Sequence, residues 1–266
     1  MTSLAGCSRR AAHMSFESGA ATHAGLVRER NEDSYLVAPE MGVWAVADGM
    51  GGHEAGALAS STVVAELKSI GCAVSAPDLL ARFEDRVLRA NARLDQIAGQ
   101  RDGVLIGSTV AVVLVYETFY AAAWSGDSRI YRIRNGSIAQ LSRDHTEAQD
   151  LIEKGLLSRE DARSYPRRNV ITRAIGVDTN PEVELEHGVL EPGDTFVLCS
   201  DGLTGHVADE EIIGAVVAGE PQQACDALIA LTLERGASDN VTVVVVRYRP
   251  ELGQGSSMAE LLDRRG

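Results

Sequence analysis

Aromatic residues make up only 5% of the chain, just four cysteines are scattered along it, and 25 basic side chains face 38 acidic ones. Each scarcity excludes something. The formal charge of −13 argues against a nucleic-acid binder, whose footprint is a basic face, and against docking on an anionic membrane. No run of ~18 apolar residues exists, so no membrane-spanning helix is expected. Cys7, Cys72, Cys199 and Cys225 form no Cys-x-x-Cys pair for zinc or redox work. Cys72, Cys199 and Cys225 lie among apolar neighbours and are expected to pack as small hydrophobes, which fits a reducing cytoplasm.

What is present is a globular composition: 266 residues, 45% of them hydrophobic. A chain of this length buries roughly 70–75% of its unfolded surface without staples, in one large domain or two small ones. Residues 1–15 mix Ser, Arg, Ala and Gly without periodicity and read as a flexible N-terminus. Leu4-Ala5-Gly6-Cys7 looks locally like a lipoprotein cleavage box, but too few residues precede Cys7 for an apolar region of ~7–15 residues. Apolar residues at helical spacing predict helices over 54–70 and 78–99. The pattern then switches: 104–116 reads as one buried strand, with further strands over 119–124, 129–134 and 137–141. Asn135-Gly136 predicts a two-residue hairpin turn. A polar, irregular stretch over 145–180 holds one short helix near 146–154. A strand over 195–199, helices near 209–217 and 221–234, and a strand over 241–248 complete the domain, and 250–266 reads as a tail. This order is not the alternation of a parallel doubly wound sheet. It predicts an α+β domain with helices packed on antiparallel sheets.

The chemistry gathers where apolar strands meet glycine. Val43–Ala47 runs into Asp48-Gly49, 196–200 into Asp201-Gly202, Asp239 opens the last strand, and Asp127 sits in the turn Ser125-Gly126-Asp127-Ser128. A strand end holds an Asp rigidly while leaving its carboxylate exposed, and an adjacent Gly admits close backbone or ligand approach. Each site alone also reads as an ordinary turn. Converging carboxylates repel unless a cation sits among them, and oxygen donors suit magnesium or manganese. Other plans fail. Glu54 stands where a dinucleotide fingerprint needs its third Gly, and His53-Glu54 lacks the second His of a metalloprotease helix. No Gly-x-Ser-x-Gly elbow is present.

Gly25–Ser34 (GLVRERNEDS) and Val46–His53 (VADGMGGH) resemble the opening motifs of metal-dependent serine/threonine protein phosphatases of type 2C, in their bacterial form. The likeness continues in family order through Gly107-Ser108-Thr109, Ser125–Arg129, Arg143–Thr146, Ile171–Gly176, Cys199–Leu203 and Ser238-Asp239-Asn240. The resemblance implies a four-layer α-β-β-α sandwich of two antiparallel sheets over residues 16–249, with a flap at about 145–180. It implies a binuclear Mn²⁺ or Mg²⁺ centre. Asp48 would bridge two metals, with the Gly49 carbonyl on one and Asp201 and Asp239 on the other; Asp127, with Asp201, would hold a weaker third. Glu32 and Asp33 would serve as outer-shell groups, and Arg28 would bind the substrate phosphate. Met50 stands where some members carry a general-acid His, and His53 is the candidate for that role. The implied reaction is hydrolysis of phosphoserine or phosphothreonine in proteins by a metal-bridging hydroxide, by a cytoplasmic monomer opposing a serine/threonine kinase. Arg163, Arg167 and Arg168 in the flap are candidate phosphopeptide contacts, set against a plain solvated face. Ser108, Thr109, His145 and His206 are expected to be structural, and Trp44 and Trp124 to pack in or beside the core.

Overall fold

The structure, a computed structural model, describes residues 14–51, 55–101, 104–162 and 164–250. Two antiparallel sheets lie face to face. One has the order β1 (Met14–His23), β11 (Val241–Pro250), β10 (Thr195–Cys199), β7 (Arg129–Arg134), β8 (Ser137–Gln140). The other has the order β2 (Asp33–Ala38), β3 (Val43–Gly51), β5 (Val110–Tyr116), β6 (Phe119–Ser125), β9 (Glu184–Val189), with β4 (Ile106–Ser108) paired to the end of β3. Helices α1 (Ala55–Lys68) and α2 (Ala76–Gly99) cover the outer face of the second sheet; α6 (Asp209–Ala218) and α7 (Pro221–Glu234) cover that of the first. The four-layer sandwich and the α+β class are as expected.

The strand sequences explain the layering. A strand buried on both faces reads as a continuous apolar run rather than as alternation. In β3, Val43, Ala45 and Ala47 face the helices while Trp44 and Val46 face the other sheet. In β11, Val241, Val243 and Val245 face the helices while Val244 and Val246 meet Phe196, Leu198, Ala111 and Val113 between the sheets. Helix α1 carries buried Ala55, Gly56, Ala59 and Ser60 on its packed face, which lets it lie close to the sheet. Helix α2 starts at Ser75, whose hydroxyl accepts from the Asp78 amide at 3.1 Å, and it buries Leu79, Phe83, Val87 and Leu94, each contributing about 1.5–3 kcal/mol of transfer free energy.

Several sequence expectations need correction. The 104–116 strand is two: β4 and β5 part at Thr109, whose backbone leaves the ladder to pair with Asp48, and Val104 and Leu105 are exposed. Strand β9 lies in a stretch given no element. Strand β1 begins at Met14, inside the segment expected to be flexible. Cys72 is half-buried and disulfide-bonded rather than packed as a thiol, whereas Cys199 and Cys225 are free and buried. The remaining expected helices and strands are present within a few residues, and Asn135-Gly136 turns the β7–β8 hairpin with both residues at positive φ. Both tryptophans are buried and donate their ring N–H groups, Trp44 to Ser18 Oγ and Trp124 to the Arg143 carbonyl.

The topology brings one end of the sandwich together. The start of β2, the end of β3, the β6–β7 turn, the end of β10 and the start of β11 share a rim: Asp33 pairs with Asp48, and Cys199 lies between Arg129 and Val243.

Candidate metal centre

Asp48 is fixed through its backbone. Its amide donates to Thr109 Oγ1 (3.0 Å), and its carbonyl accepts from the Thr109 amide (2.8 Å) and from Ser108 Oγ (3.0 Å). Ser108 and Thr109 are thus structural, as expected; they leave the Asp48 carboxylate as the only unanchored part of the residue. Gly49 follows because nothing larger fits: a Cβ there would sit 1.9 Å from the Gly56 carbonyl oxygen, where α1 crosses the strand. Asp201 opens the short helix α5 (Asp201–Thr204) at the end of β10, and a Cβ on Gly202 would lie 1.9 Å from the Asn240 carbonyl oxygen. Close backbone approach, inferred from the two Asp-Gly pairs, is what both glycines provide.

Buried Asp33 accepts from Ser200 Oγ at 2.8 Å through Oδ2, while its Oδ1 has no partner. Asp127, also buried, likewise leaves Oδ1 unpartnered. Asp239 accepts from Arg28 at 2.8 Å. The Glu32 carboxylate lies against Gly56 in the first turn of α1. The rim is therefore acidic and partly desolvated. Burial, then the charges of Asp33, Asp201, Asp127 and Asp239, pushes the Asp48 carboxyl well above the usual carboxylate range. Burial, then Asp201, does the same to Asp127. Asp33 is raised to about 6 by burial, against hydrogen bonds that lower it. Asp201 is raised to about 6 by burial and by Asp239. Burial also raises Glu32. Arg28 is held protonated more firmly than usual by its hydrogen bond to Asp239.

These residues fit a pair of hard divalent cations. The donors are all oxygen, two buried carboxylate oxygens lack partners, and the carboxylates repel one another, with Arg28, Arg30 and Arg129 as nearby opposing charges. Among the described residues, no three His, Cys, Asp or Glu side chains stand close enough to hold an ion as they are. Asp239 is turned to Arg28. That ion pair is half-exposed, and pairs of this kind are worth about 0.2–1 kcal/mol, so either partner can be drawn away by a stronger one.

Of the sequence-predicted site residues, Asp48, Gly49, Asp201, Asp239, Asp127, Glu32, Asp33 and Arg28 come to this rim. His53 and the flap residue Arg163 lie outside the described residues. Arg167 pairs with Glu147 at 2.8 Å. Arg168 lines a cleft of about 820 Å³ that runs from Asp127 and Asp201 to the flap helices α3 (Glu147–Glu153) and α4 (Arg159–Ala162). His145 accepts from the Gly126 amide at 3.2 Å, and His206 from the Ser238 amide at 3.2 Å, so both are structural. Sequence reasoning gave no role to three residues that hold the rim. Ser200 joins Asp33 to the Thr242 amide. Arg129 forks onto Asp144 beside Asp127 (2.9 and 2.7 Å). Asn240 ties the loop bearing Arg28 and Glu32 to β11. All three stand inside quoted motifs, which is the signal that was there to find them.

The protein phosphatase 2C family profile matches residues 23–223. The serine/threonine protein phosphatase PstP of Mycobacterium tuberculosis is 37% identical over 223 residues, covering 83% of this chain and 43% of that protein, so the chain spans less than half of this relative's length. Among solved structures, PppA, described as a key regulatory component of T6SS in Pseudomonas aeruginosa, superposes with a TM-score of 0.83 at 38% identity, covering 89% of this chain and 99% of that one. The catalytic domain of PstP in complex with two manganese ions superposes with a TM-score of 0.79 at 33% identity over 89% and 99%. By matched span, fold and motif order, the chain belongs to the protein phosphatase 2C family.

Proposed function

We propose that the chain hydrolyses phosphoserine and phosphothreonine in proteins, opposing a serine/threonine kinase, with two manganese or magnesium ions and a weaker third. The observation that carries this reading is the rim itself: five aspartates at one end of the sandwich, two with orphaned buried oxygens, and an arginine held beside them. Asp48, the Gly49 carbonyl, Asp201 and Asp239 would hold the two ions, and Asp127 with Asp201 the third. Two divalent cations, when bound, acidify a shared water toward neutrality and so supply hydroxide.

The chain's own groups do the rest. Glu32 and Asp33 accept from waters and fix their orientation. Arg28 leaves Asp239 and forks onto the phosphoryl oxygens, where charge is stabilised in the transition state. The attacking oxygen forms its bond to phosphorus as the serine or threonine oxygen departs in line. That oxygen takes a proton, for which His53 is the proposed donor. No covalent phosphoenzyme forms, so no activated Cys or Ser is required.

The test is turnover of a phosphothreonine peptide and of nucleotides by purified protein, with manganese and then with chelator. Manganese-dependent, chelator-abolished release of phosphate from the peptide is expected. Nucleotide-only turnover would move the assignment to a small-molecule phosphoesterase, and none at all to a non-enzymatic binding protein.

A further inference from the structure

The loop from Ala24 to Glu32 carries both Arg28 and Glu32, and it has no regular structure of its own. Its start and its end are bridged by a side chain more than 200 residues away, beside the local bonds of Asn31 to Thr22 and of the Gly25 amide to His23. Asn240 is 4% exposed. Its Nδ2 donates to the carbonyl of Ala24 (2.9 Å) at the loop's start and to that of Arg30 (2.8 Å) near its end, and its Oδ1 accepts from the Glu32 amide (2.8 Å). Both donors and the acceptor are used.

The preceding residues complete the clasp. The Leu26 amide donates to the Ala237 carbonyl at 2.9 Å. Gly25, at φ +78°, passes so close that a Cβ would lie 2.3 Å from the Asp239 carbonyl oxygen. Arg28 then reaches Asp239 itself.

We infer that Asn240 is a positioning residue for phosphate recognition: it fixes the loop that presents Arg28, and so couples the phosphate grip to the same strand end that supplies Asp239. A half-exposed arginine on an untethered loop samples many rotamers, and ordering it at each encounter weakens binding. With the loop clasped at both ends, that ordering is already in place.

This inference rests on the proposed phosphatase reading, and its test separates the two. In Asn240→Ala, the amides of Leu26 and Glu32 should exchange hydrogen faster than in the unaltered protein, whether or not the chain turns over phosphopeptide. On manganese-loaded protein, KM for a phosphothreonine peptide should rise by about tenfold or more, the loss of one charge-assisted contact, with a much smaller change in kcat. Inorganic phosphate should bind correspondingly more weakly by calorimetry.

The decisive arm is a double-mutant cycle. If Asn240 acts through Arg28, then Asn240→Ala in an Arg28→Ala background raises KM no further. Multiplying penalties, or a loss confined to kcat, would overturn the inference. So would unaltered exchange at Leu26 and Glu32. If Asn240→Ala fails to fold, Asn240→Asp serves. It keeps the acceptor for Glu32 but loses both donors, so it should loosen Leu26, raise KM and give the same cycle.

Discussion

Removing divalent ions should make the stability of this protein fall as pH rises from about 5 to 7.5, opposite to the trend of paired carboxylates. Asp33 and Asp201 are held up to about 6 from an ordinary 3.8. A raised carboxyl pKa means that the folded chain binds the proton more tightly than the unfolded one. That contribution is fully present below the unfolded value and is lost as pH rises through the folded value. A shift of this size corresponds to about 3 kcal/mol per group between pH 4 and 7. Coupling between the groups makes that an upper figure for each. Only the last unit of that shift lies above pH 5, about 1.4 kcal/mol; for a domain of this size one kcal/mol moves the melting midpoint by about 2–4 °C, so the metal-free protein should melt on the order of 3–6 °C lower at pH 7.5 than at pH 5 for each group fully expressed. Manganese should remove most of the slope by supplying the missing counter-charge. The assay is thermal unfolding across pH, with chelator and with manganese. Asp127→Asn isolates the effect, since it deletes one buried charge with little change of shape: its metal-free midpoint should rise at pH 7.5 and change little at pH 5. A metal-free midpoint that stays flat or climbs from pH 5 to 7.5, together with no gain from Asp127→Asn, would refute the reasoning.

Asp239→Asn should lower kcat by orders of magnitude with little loss of melting temperature, because its side chain is half-exposed and accepts only from Arg28 and the Asn240 amide among the described residues; an unaltered rate would remove it from the site. Gly202→Ala should destabilise the fold by about 3 kcal/mol, measured by denaturant titration, because the added methyl meets the Asn240 carbonyl oxygen and overpacks the β10–β11 contact. The buried His145 ring, which accepts from the Gly126 amide, should titrate below 6.5 by NMR: burial, then Arg173, disfavours its charged form, so its contribution to stability is present above 6.5 and is lost as pH falls through the lower folded value. Raising salt from about 20 to 200 mM should leave kcat/KM for a phosphopeptide flat or slightly higher, since screening weakens long-range repulsion by a chain of charge −13; a steep fall would reveal attraction by a positive surface.

The sandwich was legible where the chain states its environment locally. Runs such as Val241–Val246 say that a strand is covered on both faces, Asn135-Gly136 says where it turns, and Pro77 with Asp78 says where α2 begins. Strands β1 and β9 were not legible. Gly19, Ala20 and Ala21 have weak strand preference, and β1 is a strand because it pairs residue for residue with β11 across the whole domain. Strand β9 is an edge, with Glu184, Glu186 and His187 in a half-exposed row, so no apolar run marks it. The aspartates were visible because each stands at a strand end beside a glycine or a turn. Their supports were not. Ser200, Arg129 and Asn240 stand inside the quoted motifs, but nothing local states what each one holds, and their partners lie 167, 15 and more than 200 residues away.

The same geometry bears on how an acidic protein meets an anionic substrate. A charge of −13 offers a phosphoprotein no attraction at a distance, and the cleft beside the rim mixes Arg129, Arg159 and Arg168 with Asp144 and Asp209. On the proposed reading, recognition acts within a few ångströms, through bound cations and Arg28. Short-range recognition tolerates little positional error, because a charge-assisted bond needs its partners within about 3 Å and well aligned. A loop with no helix or strand to stiffen it is a poor place for such a group unless something clasps it. The buried amide of Asn240 supplies that clasp from the strand end that also presents Asp239, so Arg28 and Asp239 are fixed relative to each other rather than each to a separate part of the fold.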